Sequence, residues 1–199
     1  MKGIYIFLAD GFEDMEALAT LDVLRRGGLD VRTVAIQTGK PDDYLYGERF
    51  VTSSRGVPVV ADLTFEEFEA VSAGDTTSED VMVFPGGMPG TRNLAATEDL
   101  MSIAKSHFEA GGTVAAICAA PGLVASQLPG VEGRKFTCFD GFEGALIARG
   151  AKYRKQPAMA DGNLITGRGP GCAIDFALEI LRSLKGNAAA SEVRKGLML

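Results

Sequence analysis

TVAAICAAPG, residues 113–122, is an apolar strand that runs without a spacer into a helix. Thr113 to Cys118 is short and apolar enough for a buried strand, and the helix extends from about Ala119 to Leu128. Cys118 stands at the junction, with Ala116 and Ala120 two residues to either side. A nucleophile on a tight strand-to-helix turn needs small residues at those places, because larger ones collide. The helix N-terminus offers partial positive charge and free N–H groups, which favour a thiolate over a thiol. The competing reading is a buried cysteine packing as a small hydrophobe. Position and neighbours favour the reactive one.

Outward from this junction, strands and helices alternate. IYIFLA (Ile4–Ala9) reads as a buried strand, and residues 13–28 as a helix with an apolar face of Met15, Leu18, Ala19, Leu21, Val23 and Leu24. A second strand is read from Asp30 to Gln37. Residues 38–62 read as a polar loop with strand candidates at Phe50–Ser53 and Val57–Ala61. Thr64 to Val71 is a short helix capped by Thr64, with Glu67 three residues on. Asp80 to Gly87 is a central strand ending in Pro85-Gly86-Gly87, and Thr97 N-caps a helix to Gly112. Lys135–Phe139 and Asn163–Gly167 are further strands. A long amphipathic helix spans Gly171 to Gly186, and residues 191–199 form a short helix and tail. The alternation predicts an α/β fold, a mostly parallel sheet with helices on both faces. No linker or internal repeat interrupts it, so residues 1–199 read as a single domain. In such folds the site lies at the carboxyl ends of the strands. That selects the loops Ala9–Asp14, Pro85–Gly90 and Cys118–Pro121.

Composition excludes several partners. With 20 basic and 26 acidic residues the chain carries −6, which argues against nucleic acid and anionic lipid. No apolar run approaches the ~20 residues that span a bilayer, and the N-terminus lacks the features of a signal peptide. Three cysteines (Cys118, Cys138, Cys172) are too few for a disulfide framework and suggest a reducing, cytoplasmic setting. With one histidine and no CxxC pair, a structural zinc site is not expected.

Other residues could serve Cys118. Gly86 and Gly87 let backbone N–H groups approach a ligand, as an oxyanion site requires, although a plain turn would use the same residues. Glu16 lies beside apolar positions of the first helix and could face inward, keeping its proton more easily than an exposed carboxyl. Glu13 and Asp14 suit the helix N-terminus. His107 reads as a surface or boundary residue, which leaves a Cys–His pair poorly supported. GRGPG (Gly167–Gly171) matches no nucleotide-loop pattern and reads as a turn lining the site.

EDME (residues 13–16), VFPGG (83–87), AAICAAP (115–121) and TGRGPG (166–171) occur together in order. From about residue 3 to residue 185 the chain resembles the ThiJ/PfpI superfamily, in the branch of the parkinsonism-associated protein deglycase and its bacterial chaperone-like relatives. The resemblance implies a flavodoxin-like three-layer sandwich and a homodimer. It also implies a reactive Cys118, a Glu16 whose protonated carboxyl hydrogen-bonds that cysteine, and backbone donors at Gly87 and Ala119. Arg55 corresponds to a basic residue near the site across the dimer, and Pro170 lies in the site-lining turn. Phe139 stands where many close relatives have histidine, and Ala119 stands where peptidase-like members have one. The expected function is cofactor-free, cysteine-dependent processing of small reactive carbonyls or glycated side chains. The alternatives are an oxidative-stress sensor or chaperone using the same cysteine and, third, a peptidase or amidase. Cys138 could act as a resolving thiol, though a packed position suits it better.

Overall fold

The computed structural model describes residues 1–37 and 47–199; the part of the predicted polar loop at residues 38–46 lies outside them. In chain order the strands are β1 (Ile4–Ala9), β2 (Val31–Ile36), β3 (Phe50–Thr52), β4 (Pro58–Val60), β5 (Leu63–Thr64), β6 (Val81–Phe84), β7 (Thr113–Ile117), β8 (Lys135–Phe136), β9 (Lys152–Tyr153), β10 (Ala158–Asp161) and β11 (Leu164–Gly167). The helices are α1 (Asp14–Arg26), α2 (Phe65–Val71), α3 (Gly90–Ala96), α4 (Glu98–Glu109), α5 (Ala120–Leu123), α6 (Gly144–Ala148) and α7 (Ala173–Gly196).

Among the described residues, seven strands form one sheet in the order β10-β11-β7-β6-β1-β2-β5. All neighbours are parallel except the edge pair β10–β11. Every residue of β1 is buried, and its side chains alternate between two cores. Tyr5, Phe7 and Ala9 join Phe68 of α2, Leu94 of α3, and Leu100, Ala104 and Phe108 of α4. Ile4, Ile6 and Leu8 join Ala17, Val23 and Leu24 of α1 and Phe176, Ile180 and Leu181 of α7. Each such fully buried Ile, Leu or Phe contributes about 1.5–3 kcal/mol. Helices therefore cover both faces, the flavodoxin-like sandwich that was expected. The chain winds outward from β1 to β2 and β5, then returns to β6 on the other side of β1. That reversal opens a crevice beyond the carboxyl ends of β1 and β6.

Several boundaries differ from the sequence reading. Strand β6 stops at Phe84, because Pro85 has no N–H for the ladder. The strand read at Lys135–Phe139 keeps two residues. It ends where the Thr137 N–H donates to the Thr166 hydroxyl (2.9 Å) instead of a backbone carbonyl. The helix read to Leu128 is α5 followed by a 3-10 turn at Ala125–Gln127. Thr97 occupies the N-cap of α4, but its hydroxyl donates to the Asn93 carbonyl (2.9 Å), since α3 directly precedes it. A 3-10 turn over Pro170–Cys172 precedes α7, and Gly186 (φ 82°, ψ 174°) interrupts that helix where an end was expected.

The histidine reading is corrected. His107 is 1% exposed, and its Nε2 lies 3.1 Å from the Thr113 carbonyl oxygen. It follows Leu100 and Ala104 by seven and three residues and so shares their buried stripe.

Candidate active site

Three loops meet in the crevice. The Glu13 N–H donates to the Gly86 carbonyl (2.9 Å), joining the loop after β1 to the loop after β6. Gly87 (φ 90°) packs so closely on this junction that a Cβ there would lie 2.6 Å from the Phe12 carbonyl carbon. Cys118 has φ 65°, a left-handed conformation that costs a non-glycine residue about 1–3 kcal/mol. Two backbone bonds hold it there: its N–H donates to Gly167 O (3.0 Å), and its carbonyl accepts from the Phe139 N–H (2.9 Å). Ala116 and Ala120 are fully buried against the turn, as the small-neighbour argument requires.

The first helix presents a different face from the one read in the sequence. Its buried stripe is Glu16, Ala17, Thr20, Val23 and Leu24, while Met15 is 56% exposed. Glu13 caps the helix, accepting from the Glu16 N–H (2.9 Å), and so relieves Glu16 of that surface role. The Glu16 side chain turns inward and is 1% exposed. Its Oε2 accepts from the Gly86 N–H at 2.7 Å. The Cys118 thiol lies beside the same carboxyl, yet Oε1 has no well-formed hydrogen bond among the described residues. The Gly86 N–H is a backbone donor within the site, and Glu16 is the group it serves. Gly86 is indispensable in another way: a Cβ there would come within 2.5 Å of both Cys118 Cβ and Glu16 Oε2.

Burial dominates the electrostatics. It raises the Glu16 carboxyl to a pKa of about 7, partly opposed by the Gly86 N–H and the neighbouring thiol. Burial likewise raises the Cys118 thiol, and the Glu16 charge raises it further, while the Ala119 and Gly87 N–H groups aimed at the sulfur pull the other way. The expected thiolate stabilisation by a helix N-terminus is therefore outweighed, since α5 has four residues and the sulfur is largely desolvated. A proton can sit on either side chain of the pair. With Glu16 protonated, its charge no longer opposes the thiolate.

The remaining candidates sit farther out. Phe139 is 47% exposed and lies edge-on to Phe142, with ring centroids 6.4 Å apart. Phe139 and Pro170 line a cavity of about 230 Å³ beside the elbow, together with Asp140, Arg168 and Cys172. Asp140 and Arg168, paired across this cavity, drew no attention in the sequence, where both stand in loop segments. Arg55 is exposed in the β3–β4 hairpin and makes no ion pair among the described residues. Cys138 is fully buried, and burial pushes its thiol up to about 12, so it is a packed residue and no resolving partner. His107 faces Thr113, at the opposite end of β7 from Cys118 and about 16 Å of strand away. Among the described residues, no group of histidine, cysteine and acidic side chains could hold a metal ion.

The model of the DJ-1/PfpI family matches residues 2–183. The chain belongs to this family. Protein dj-1beta of Drosophila melanogaster is 34% identical over 199 residues, covering 100% of this chain and 97% of the relative. The crystal structure of Drosophila melanogaster DJ-1beta superposes with a TM-score of 0.83 at 32% identity, covering 100% of this chain and 98% of that one. The glutathione-independent glyoxalase DJ-1 of Schizosaccharomyces pombe is 27% identical over 201 residues, covering 100% of both chains. For a DJ-1/PfpI protein, the four segments singled out in the sequence are the ones that build the crevice. No helix among the described residues is long and apolar enough to cross a membrane.

Proposed function

We propose that this single-domain chain is a cofactor-free enzyme that converts small 2-oxoaldehydes such as methylglyoxal, or early glycation adducts, to hydroxy acids. The observation that carries the reading is the buried Glu16 carboxyl beside Cys118, raised to about 7 so that it can hold or release a proton near neutrality. The glyoxalase among the relatives supports the substrate class. The Cys118 thiolate adds to the aldehyde carbon, and Glu16 protonates the resulting oxyanion to give a hemithioacetal. The Gly87 and Ala119 N–H groups, which favour charge on the sulfur, would also assist the developing oxyanion. The Glu16 carboxylate then removes the proton from the former aldehyde carbon, exchanges it with solvent and delivers a solvent-derived one to the adjacent carbon, leaving a thioester. Water hydrolyses that thioester, releases the hydroxy acid and restores the thiol. The sum is addition of one water, with no net oxidation or reduction.

Three unpaired cysteines support a reducing, cytoplasmic setting. Exposed Met15 on α1, with Val57 and Val60 on the hairpin that Ser53 ties to Asp14 (2.5 Å), support a homodimer. Turnover of methylglyoxal in D2O, followed by proton NMR, tests the chemistry. Lactate carrying deuterium at C2 is the expected product, and Glu16→Gln should lower its formation at least 100-fold, within the usual range for a lost acid–base group of ~10²–10⁴. Unchanged turnover in Glu16→Gln removes the reading.

A sensor role has one observation in its favour: the Ala119 and Gly87 N–H groups favour a negative charge on the Cys118 sulfur, as an oxidised sulfur acid would carry. Limited peroxide followed by mass spectrometry should then add two oxygens selectively at Cys118. Oxidation scattered over cysteines and methionines counts against it.

A further inference from the structure

The cavity beside the elbow hangs on Cys118 by both of its walls. One wall begins at Phe139, whose N–H donates to the Cys118 carbonyl (2.9 Å). The other begins after Gly167, whose carbonyl accepts from the Cys118 N–H (3.0 Å). Asp140 and Arg168 face each other across it. The Arg168 guanidinium donates to both carboxylate oxygens of Asp140, at 2.9 and 2.8 Å. Tyr153 donates to Asp140 as well (3.2 Å), and Lys155 Nζ lies 3.5 Å from it. The Arg168 and Asp140 side chains are 33% and 55% exposed, so their pairing adds little to stability. Its consequence is for the field in this cavity, whose walls are bonded to the Cys118 backbone. A guanidinium with no partner is a bidentate receptor for carboxylates; here both Asp140 oxygens sit on Nη2 and offset the guanidinium charge.

We infer that Asp140 is a specificity-determining residue: by occupying Arg168 it makes the approach to Cys118 suit uncharged carbonyls and disfavour those carrying a carboxylate. The carbonyl class rests on the function proposed above, whereas the charge selection rests on the cavity alone. Two alkylating agents of similar size separate these claims. Iodoacetamide is neutral and iodoacetate anionic; with each, a thiolate forms a C–S bond and iodide leaves. Their rates at the Cys118 peptide are compared by mass spectrometry in the wild type, Asp140→Asn and Asp140→Asn/Arg168→Met.

The iodoacetate-to-iodoacetamide ratio should rise about tenfold in Asp140→Asn, the size expected of one uncompensated charge near a partly exposed site. It should fall back in the double variant. An unchanged ratio in Asp140→Asn, or a rise that survives loss of Arg168, overturns the inference. Asp140 is exposed, and a thermal melt confirms that each variant folds. Turnover of 4,5-dioxovalerate, a 2-oxoaldehyde that carries a carboxylate, against methylglyoxal should shift in parallel. No turnover of either, with the alkylation ratio shifted, removes the carbonyl class and upholds the charge selection.

Discussion

Glu16 acquires its chemistry from where α1 places it, and its titration leaves a mark on stability. A carboxyl raised from 4.5 to about 7 binds its proton more tightly in the folded state than in the unfolded one. Its contribution is therefore fully present below about pH 4.5 and is lost as pH rises through about 7. At ~1.4 kcal/mol per pKa unit, the wild type should lose about 3 kcal/mol to this group across that window. Glu16→Gln should remove that part of the slope, as seen by urea denaturation at pH 5 and pH 8. Equal slopes in the two proteins would contradict the buried, titrating carboxyl. The sequence singled out Glu16 only through its apolar neighbours and the family resemblance, because three acids crowd the same turn. What separates them is spacing: residues 16, 20, 23 and 24 share the buried stripe, whereas Glu13 serves the helix end. The same spacing places His107 with Leu100 and Ala104, a pattern available from sequence once the stripe is followed past its apolar members.

Loops, more than helices or strands, set the geometry of the site. Gly87 and Gly111 both have φ 90°, but the first packs on backbone and the second has open space around its Cβ position. Gly87→Ala should cost about 3 kcal/mol, combining strain with collision, and Gly111→Ala about 1 kcal/mol from strain alone. Thermal denaturation of the two variants checks the contrast; equal losses would mean that the Gly87 packing does not matter. Thr64 tests a simpler feature, since its capping box with Glu67 is present as the sequence suggested. Thr64→Ala should cost about 1 kcal/mol by urea denaturation. Strands β1, β2, β6 and β7 were legible because each is a short, mostly buried run rich in apolar residues. Strands β9 and β10 and helices α3 and α6 were not read. They are two to seven residues long, too short to display a period, and β9 forms against a partner distant in the chain.

At the scale of the whole molecule, the doubly wound sheet brings together residues 16, 86–87 and 118, which no local pattern connects. The mostly parallel sheet with helices on both faces was legible from the alternation of strands and helices, and the crevice from the rule that strand carboxyl ends hold the site. The Asp140–Arg168 pair was not, because its members are 28 residues apart and joined only through the cavity. Sedimentation equilibrium should give a mass of two chains, falling to one when Met15 and Val57 are both changed to aspartate; one chain in the wild type would remove the dimer. The most direct test of the central claim is lactate formation from methylglyoxal by metal-free protein, with wild type and Cys118→Ser measured side by side. Turnover in the wild type that disappears in Cys118→Ser is the expected result. Lactate formed at the same rate by both proteins would contradict a cysteine-dependent carbonyl enzyme.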